Sequence, residues 1–117
     1  ELCGLAAPKY VSGVSLAPVL KDPTATPRRS ALTQYANGYS IRTPRFRYTE
    51  WGEDGAGGSE LYDHKSDSVE MVNLAGDAKH ADIAAELSAL LRERVASART
   101  RPEGLEQIIF ENRRRVR

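Results

Sequence analysis

The sequence predicts an α+β fold in which a small antiparallel sheet of about four strands is covered by a carboxyl-terminal helix. Apolar and polar residues alternate between residues 29 and 64, as they do in half-buried strands, and apolar residues recur at helical spacing between residues 79 and 97. With 117 residues, 40% of them hydrophobic, the chain is long enough for one compact unit with its own core.

The expected strands follow one another closely, as in a meander. Residues 31–35 are β-compatible and lead to Asn37-Gly38, a dipeptide that favours the positive φ angles of a tight hairpin turn. Further alternating or β-forming segments cover residues 39–43, 45–51 and 59–64. Because each of these strands has one apolar face, the sheet needs a covering layer.

The clearest helix is expected from about Lys79 to Ser97. Ile83, Leu87, Leu90 and Leu91 lie at helical spacing and form one apolar stripe, which fits a helix packed on the sheet. Asp77 is a plausible N-cap for it.

The two ends of the chain lack the alternating pattern. Residues 1–28 form an irregular lead-in with a short helix opened by Ser15. Residues 98–117 form a basic tail, in which Leu105, Ile108 and Ile109 would share one face of a second helix. Neither segment is expected to belong to the predicted sheet or to the helix that covers it.

Charge and hydropathy argue against several classes of function. The formal net charge is only +1, and no apolar stretch approaches the length of a membrane span. Residues 92–117 contain eight Arg against four Glu, but Phe110 is the only aromatic residue among them. A solvated tail is therefore favoured over a nucleic-acid-binding surface, and we expect neither a nucleic-acid nor a membrane partner.

Side chains that could bind a metal are few. One cysteine, Cys3, and two histidines are too few for a cysteine/histidine zinc site. Asp63-His64 with Asp67 is interpreted as a turn capped by Asp63, Ser66 and Asp67, since a metal or acid/base site would need a third ligand and a pocket.

An acidic stretch offers the other candidate for a cation. It comprises Glu50, Glu53, Asp54 and Glu60, and it lacks the spacing of a calcium-binding loop. It is therefore expected to be a solvated loop.

Several ordered motifs are far more specific than these patterns. They are Gly38-Tyr-Ser-Ile-Arg-Thr-Pro-Arg-Phe-Arg-Tyr-Thr-Glu-Trp51, Glu60-Leu-Tyr-Asp-His64 and Glu70-Met-Val-Asn-Leu-Ala75, preceded by Leu20-Lys-Asp-Pro23. In order and spacing they resemble the carboxyl-terminal part of the sulfatase family, especially its iduronate-2-sulfatase branch. The resemblance covers about residues 1–97. It implies a lead-in from a catalytic domain over residues 1–28 and a carboxyl-terminal subdomain over residues 29–97.

The resemblance also implies where catalysis takes place. Sulfatases hydrolyse sulfate esters with a formylglycine made in a Cys-x-Pro-x-Arg motif, beside a calcium ion. Cys3 is followed by Gly-Leu and does not match that motif. Calcium and formylglycine are therefore implied for the catalytic domain, and no cofactor, metal ligand or catalytic residue is expected in this segment.

The implied role is to complete the fold and one rim of the substrate cleft. Gln34, Tyr35 and Arg42 are the rim candidates, since an arginine on the polar face of a strand can pair with a sulfate or a carboxylate. The alternative for Arg42 is a structural salt bridge. The alternative for the whole chain is a free-standing, non-catalytic binding module derived from such a subdomain.

The partners expected from the resemblance are a sulfatase catalytic domain and, through the full enzyme, a sulfated sugar or other sulfate ester. Export to the periplasm, lysosome or extracellular space is implied only by the family. The isolated chain is expected to expose its apolar lead-in and therefore either to self-associate or to be partly disordered before Arg29.

Overall fold

In a computed structural model, which describes residues 1–8, 10–11 and 13–102, the predicted sheet and helix are both present. The strands are β1 (Ala31–Tyr35), β2 (Gly38–Arg42), β3 (Phe46–Trp51) and β4 (Ser59–Asp63), and the helices are α1 (Ala17–Lys21) and α2 (Ala81–Arg99). The four strands form one antiparallel sheet in the order β1-β2-β3-β4. The predicted α+β class is confirmed.

The core lies where α2 crosses the middle of the sheet. Ile41 pairs with Tyr48 across β2 and β3, and Tyr48 pairs with Leu61 across β3 and β4, so that the three side chains form a row on one face. Leu87 and Leu91 of α2 are buried against this row. The predicted stripe is thus confirmed, with Ile83 and Leu90 partly buried at its margin.

The hairpin between β1 and β2 is present, but its turn differs from the prediction. The residue with positive φ is Ala36, at +49°, whereas Gly38 already belongs to β2. A Cβ atom at Gly38 would lie 2.6 Å from the Trp51 ring. Glycine is therefore required at this position by close packing and not by turn geometry.

The boundaries of the other elements differ by one or two residues from those expected. The last strand ends at Asp63, and α2 begins at Ala81 after a 3₁₀ turn, Ala78–His80. Asp77 caps that turn through its side chain, which accepts a hydrogen bond from Lys79 N at 3.0 Å. In the lead-in, Ser15 Oγ accepts from Ala17 N at 3.1 Å just before α1, although the N-cap position itself is Leu16 and not Ser15 as expected.

The connection between β4 and α2 is tied to the sheet by one side chain. Asn73 Oδ1 accepts from Leu61 N at 2.9 Å, and its Nδ2 donates to the Ser59 carbonyl at 3.1 Å. Leu74 N donates to the Leu61 carbonyl at 2.8 Å. These bonds satisfy polar backbone groups along the outer edge of β4, which would otherwise be free to pair with another strand.

The predicted second helix in the tail, with Leu105, Ile108 and Ile109, lies outside the described residues. Over residues 1–8, 10–11 and 13–102, no helix is both long and apolar enough to cross a bilayer.

Candidate functional site

The three predicted rim residues lie at different places on the β1–β2 hairpin. Gln34 pairs with Tyr39 on the face covered by α2, where it lines an open cavity. Tyr35 and Arg42 point to the opposite, uncovered face, because neighbouring strand residues alternate. Those two lie at opposite ends of the hairpin. The structure does not gather the three into one pocket, and their contact with substrate stays a prediction.

Arg42 is held by two contacts on the uncovered face. Its Nη2 lies 3.0 Å from His64 Nδ1, and its Nη1 donates to the Phe46 carbonyl at 3.5 Å. Because a guanidinium can only donate, Nδ1 of His64 must accept and the imidazole proton is assigned to Nε2. The contacts of Arg42 are therefore structural, although they are not the salt bridge considered as its alternative.

His64 connects Arg42 to a second arginine through Glu70. His64 Nε2 lies 2.5 Å from Glu70 Oε1, and the other carboxylate oxygen of Glu70 pairs with Arg47 Nη2. Glu70 has a φ of +61°, a conformation that non-glycine residues rarely adopt. We call Arg42, His64, Glu70 and Arg47 the sheet-face network. The Arg47–Glu70 ion pair and the His64–Glu70 and Arg42–His64 hydrogen bonds fix Glu70, a strained residue of the β4–α2 connection, on the sheet.

Arg47 is the least satisfied member of the sheet-face network. Its guanidinium lies over the Tyr62 ring, 5.7 Å from the centroid, and its buried Nε has no hydrogen-bond partner in the described part of the chain. Sequence reasoning missed Arg47 and Glu70. Strand alternation alone places Arg47 beside Arg42 on the same face, whereas no local signal marks Glu70.

Asp63 precedes His64 in the chain, but its side chain stabilises the turn after β4 and does not belong to the sheet-face network. Arg45 donates to both of its carboxylate oxygens, at 2.9 and 2.7 Å, and this pairing lowers the pKa of Asp63 from 3.8 to about 2. Lys65 N also donates to Asp63 Oδ1 at 3.0 Å, and Val72 N donates to Asp67 Oδ2 at 2.9 Å. The predicted capped turn is confirmed.

A metal does not fit this donor set. The carboxylate of Asp63 is engaged by Arg45, and both ring nitrogens of His64 are occupied within the network. Among the residues that the structure describes, no three His, Cys, Asp or Glu side chains are grouped as metal ligands. The calcium implied by the resemblance has no matching donor set in this part of the chain.

The prediction of a solvated acidic loop is wrong for Glu50, which lies near the end of β3 and is only 7% exposed. It accepts from Tyr48 Oη at 3.1 Å and from Ser88 Oγ at 2.5 Å, and it pairs with Arg92 Nε at 3.4 Å. Burial and the nearby Glu50 charge raise the pKa of Tyr48. The burial of Glu50 is tolerated because three donors, two of them from α2, satisfy its charge.

Glu60 departs from the expected loop as well. It lies in β4, where it accepts from Trp51 Nε1 at 3.1 Å. The acidic stretch is therefore split between two strands and the 3₁₀ turn Glu53–Gly55. Two of its four carboxylates, those of Glu50 and Glu60, accept hydrogen bonds from side chains of the sheet.

Comparison with known proteins supports the reading of the motifs. The family of N-sulphoglucosamine sulphohydrolase carboxyl-terminal domains matches residues 1–97. A Δ4,5-hexuronate-2-O-sulfatase of Bacteroides thetaiotaomicron is 35% identical over 85% of this chain and 22% of its own length. An N-acetylglucosamine-6-O-sulfatase of the same organism is 31% identical over 99% of this chain and 23% of its own length.

A solved structure supports the fold in the same way. A protein in complex with its substrate D-glucosamine-2-N,6-O-disulfate superposes with a TM-score of 0.70 at 30% identity, over 87% of this chain and 23% of that one. The chain thus spans about a quarter or less of the length of these relatives. The chain belongs to the N-sulphoglucosamine sulphohydrolase carboxyl-terminal family and is homologous to the carboxyl-terminal part of sulfatases.

Proposed function

We propose that this chain works as part of a sulfatase that hydrolyses sulfate esters of sulfated sugars, where it completes the fold and one rim of the substrate cleft. The observation that carries the proposal is the family match over residues 1–97. The relatives named above act on hexuronate, N-acetylglucosamine and disulfated glucosamine by their own descriptions. A sulfated amino sugar or uronate is therefore the proposed substrate class.

The proposal leaves bond breaking to the catalytic domain. A formylglycine made in that domain would supply the nucleophile, and calcium held there would balance the sulfate charge. In this chain, Cys3 is exposed and lacks the Cys-x-Pro-x-Arg context. The contribution of the subdomain is positional.

The lead-in is the proposed contact with the catalytic domain. Leu2, Leu5, Val14, Leu16 and Leu20 are all exposed, although apolar side chains gain free energy when they are buried. Leu16, Val19 and Leu20 also line an open groove with the start of the chain. An exposed apolar segment of this kind marks an interaction surface.

Co-purification tests this contact. The catalytic portion encoded by the same reading frame is co-expressed with this chain as a separate tagged polypeptide. Leu16→Ser with Leu20→Ser should abolish co-purification. Val72→Ser with Met71→Ser is the matched control, because these apolar side chains are similarly exposed but lie in the β4–α2 connection. Retained binding of the first variant, or equal loss in both, would refute the proposed contact.

Arg42 is the first rim residue to test, because a guanidinium on the uncovered face of the sheet can pair with a sulfate or a carboxylate. In the complete enzyme, Arg42→Gln should raise KM for the sulfated sugar if Arg42 borders the cleft. Arg94→Gln, at an exposed position of α2, is the control. A lower unfolding midpoint with an unchanged KM would show that Arg42 has only its structural role.

Export of the complete protein is proposed from the family likeness alone. Fractionation of the native host with an antibody against this chain tests it. Recovery in the cytoplasmic fraction would overturn it.

A further inference from the structure

The uncovered face of the sheet, opposite α2, carries aromatic side chains at one end. Tyr35 of β1 pairs with Gly38 of β2, and Gly38 pairs with Trp51 of β3, so the three residues form one row across the sheet. We call them the aromatic row. Because neighbouring strand residues alternate and Ile41 and Tyr48 belong to the core, the row lies on the uncovered face. It therefore presents two aromatic rings with no side chain between them.

The Trp51 indole is fixed in position on this face. A Cβ atom at Gly38 would lie 2.6 and 2.7 Å from two carbons of the six-membered ring, so this ring lies directly over the glycine. On its other side, the indole Nε1 donates to Glu60 Oε1 of β4 at 3.1 Å. The indole thus extends across the sheet from β2 towards β4. Since the half-buried ring is already ordered, a ligand that stacks on it immobilises little further side-chain freedom.

Tyr35 continues this aromatic surface to the edge of the sheet. It lies in the edge strand β1, and it is 77% exposed although a tyrosine ring gains free energy when it is buried. The face of an aromatic ring carries partial negative charge and attracts polarised C–H groups. A pyranose ring offers such C–H groups on one face and keeps its hydroxyls for hydrogen bonds at its edge. The aromatic row therefore fits a sugar ring.

The other end of the same face is cationic. Arg42 and Arg47 pair across β2 and β3, four residues along these strands from the aromatic row, which corresponds to about 13 Å. Between the two ends lie small hydroxyl side chains, of which Thr49 Oγ1 donates to Ser40 Oγ at 3.0 Å. The contacts of Arg42 with His64 and with the Phe46 carbonyl use two of its five N–H donors. The face thus joins a stacking surface to a guanidinium.

We propose that the aromatic row is a subsite for one sugar ring of a sulfated oligosaccharide, which packs its C–H face on Trp51 and Tyr35. A sulfate or carboxylate of the same oligosaccharide then reaches towards Arg42. This inference rests on the proposed function, which supplies a sulfated sugar as the substrate. Single-stranded nucleic acid also combines flat rings with anionic groups. The carboxylates of Glu60 and Glu70 on this face disfavour it, because every nucleotide adds a phosphate.

The fluorescence of Trp51 tests the subsite directly, because it is the only tryptophan among the 117 residues. The chain is titrated with a sulfated tetrasaccharide of alternating glucosamine and uronate residues, and the proposal predicts a saturable change in emission. Tyr35→Ser should raise the dissociation constant about two- to tenfold, as expected for the loss of one aromatic contact. Tyr10→Ser is the matched control, since Tyr10 is also exposed but lies in the lead-in.

Three outcomes of the titration would overturn the subsite: no saturable change, equal affinity of Tyr35→Ser and Tyr10→Ser, or tighter binding of a single-stranded oligothymidine. A measurement on the unsubstituted chain guards against misfolding of the variants. Indole protons of Trp51 should show nuclear Overhauser contacts to C–H protons of the bound tetrasaccharide, and their absence would overturn the subsite.

The complete protein separates this inference from the proposed function. Tyr35→Ser should raise KM for the tetrasaccharide by a similar factor, and an unchanged KM would overturn the subsite while leaving sulfate release intact. The absence of sulfate release from the unsubstituted complete protein would overturn the proposed function. It would leave the binding measured with this chain unaffected.

Discussion

The packing of α2 on the sheet can be tested by replacing Leu91, which is 1% exposed and contacts the Ile41–Tyr48–Leu61 row. Leu91→Ala removes three carbon atoms, worth about 0.8 kcal/mol each in lost burial, or about 2.4 kcal/mol. The cavity left behind adds to this, so the total cost is expected at about 2 to 5 kcal/mol. Urea unfolding followed by Trp51 fluorescence measures it. At a slope of about 1 to 3 kcal/mol/M, the midpoint should fall by about 1 M or more.

Leu20→Ala makes the same chemical change at a side chain that is 71% exposed in α1. Its cost should stay within about 0.5 kcal/mol, as for most surface substitutions. An unchanged midpoint for Leu91→Ala, or equal losses for the two variants, would show that α2 does not hold the sheet through this face.

Three further predictions concern the polar contacts and the turn. Because Asp63 has a lowered pKa of about 2, its stabilising contribution is complete above its ordinary pKa of 3.8 and is lost as the pH falls through about 2. The urea midpoint should therefore fall between these two pH values, and it should fall less in Asp63→Asn. Parallel pH profiles for the two proteins would refute the role of the Arg45–Asp63 pair. Ser88→Ala removes a donor to the buried Glu50 and should lower the free energy of unfolding by about 1.5 to 3 kcal/mol. Ser97→Ala, at an exposed position of α2, is the control and should cost almost nothing. Similar costs for the two variants would contradict the hydrogen bond from Ser88 to Glu50. Gly38→Ala should lower the free energy of unfolding by about 1 to 3 kcal/mol, because the added Cβ would meet the Trp51 ring. Gly76→Ala is the control, since no atom lies within 4 Å of its added Cβ. An unchanged stability of Gly38→Ala would show that the Trp51 ring moves aside freely.

The elements with a clear periodicity were predictable from the sequence. The four strands and α2 follow from the period-2 and helical patterns, and the apolar stripe of α2 packs on the expected sheet face. The pattern could not reveal the role of Glu50, since its partners Ser88 and Arg92 lie 38 and 42 residues further along the chain. The turn was also misplaced, because the requirement for Gly38 comes from Trp51 on the neighbouring strand β3.

The candidate site was less predictable than the fold. Gln34 and Tyr35 were grouped as one rim, yet neighbouring strand residues point to opposite faces, so the alternation itself argues against that grouping. Glu70 completes the sheet-face network from an irregular connection with a positive φ, and neither periodicity nor composition signals such a position. The sulfatase likeness was recognised from ordered motifs, which carry more information than any local pattern.

Sulfate release from a sulfated sugar tests the central claim most directly. The complete protein encoded by the reading frame is assayed beside this chain alone and beside the same protein lacking residues 1–117 of the present sequence. The proposal predicts sulfate release by the complete protein and none above a buffer blank by either part. Release by this chain alone, or full activity of the protein that lacks it, would contradict the assignment of this chain as the non-catalytic but required subdomain of a sulfatase.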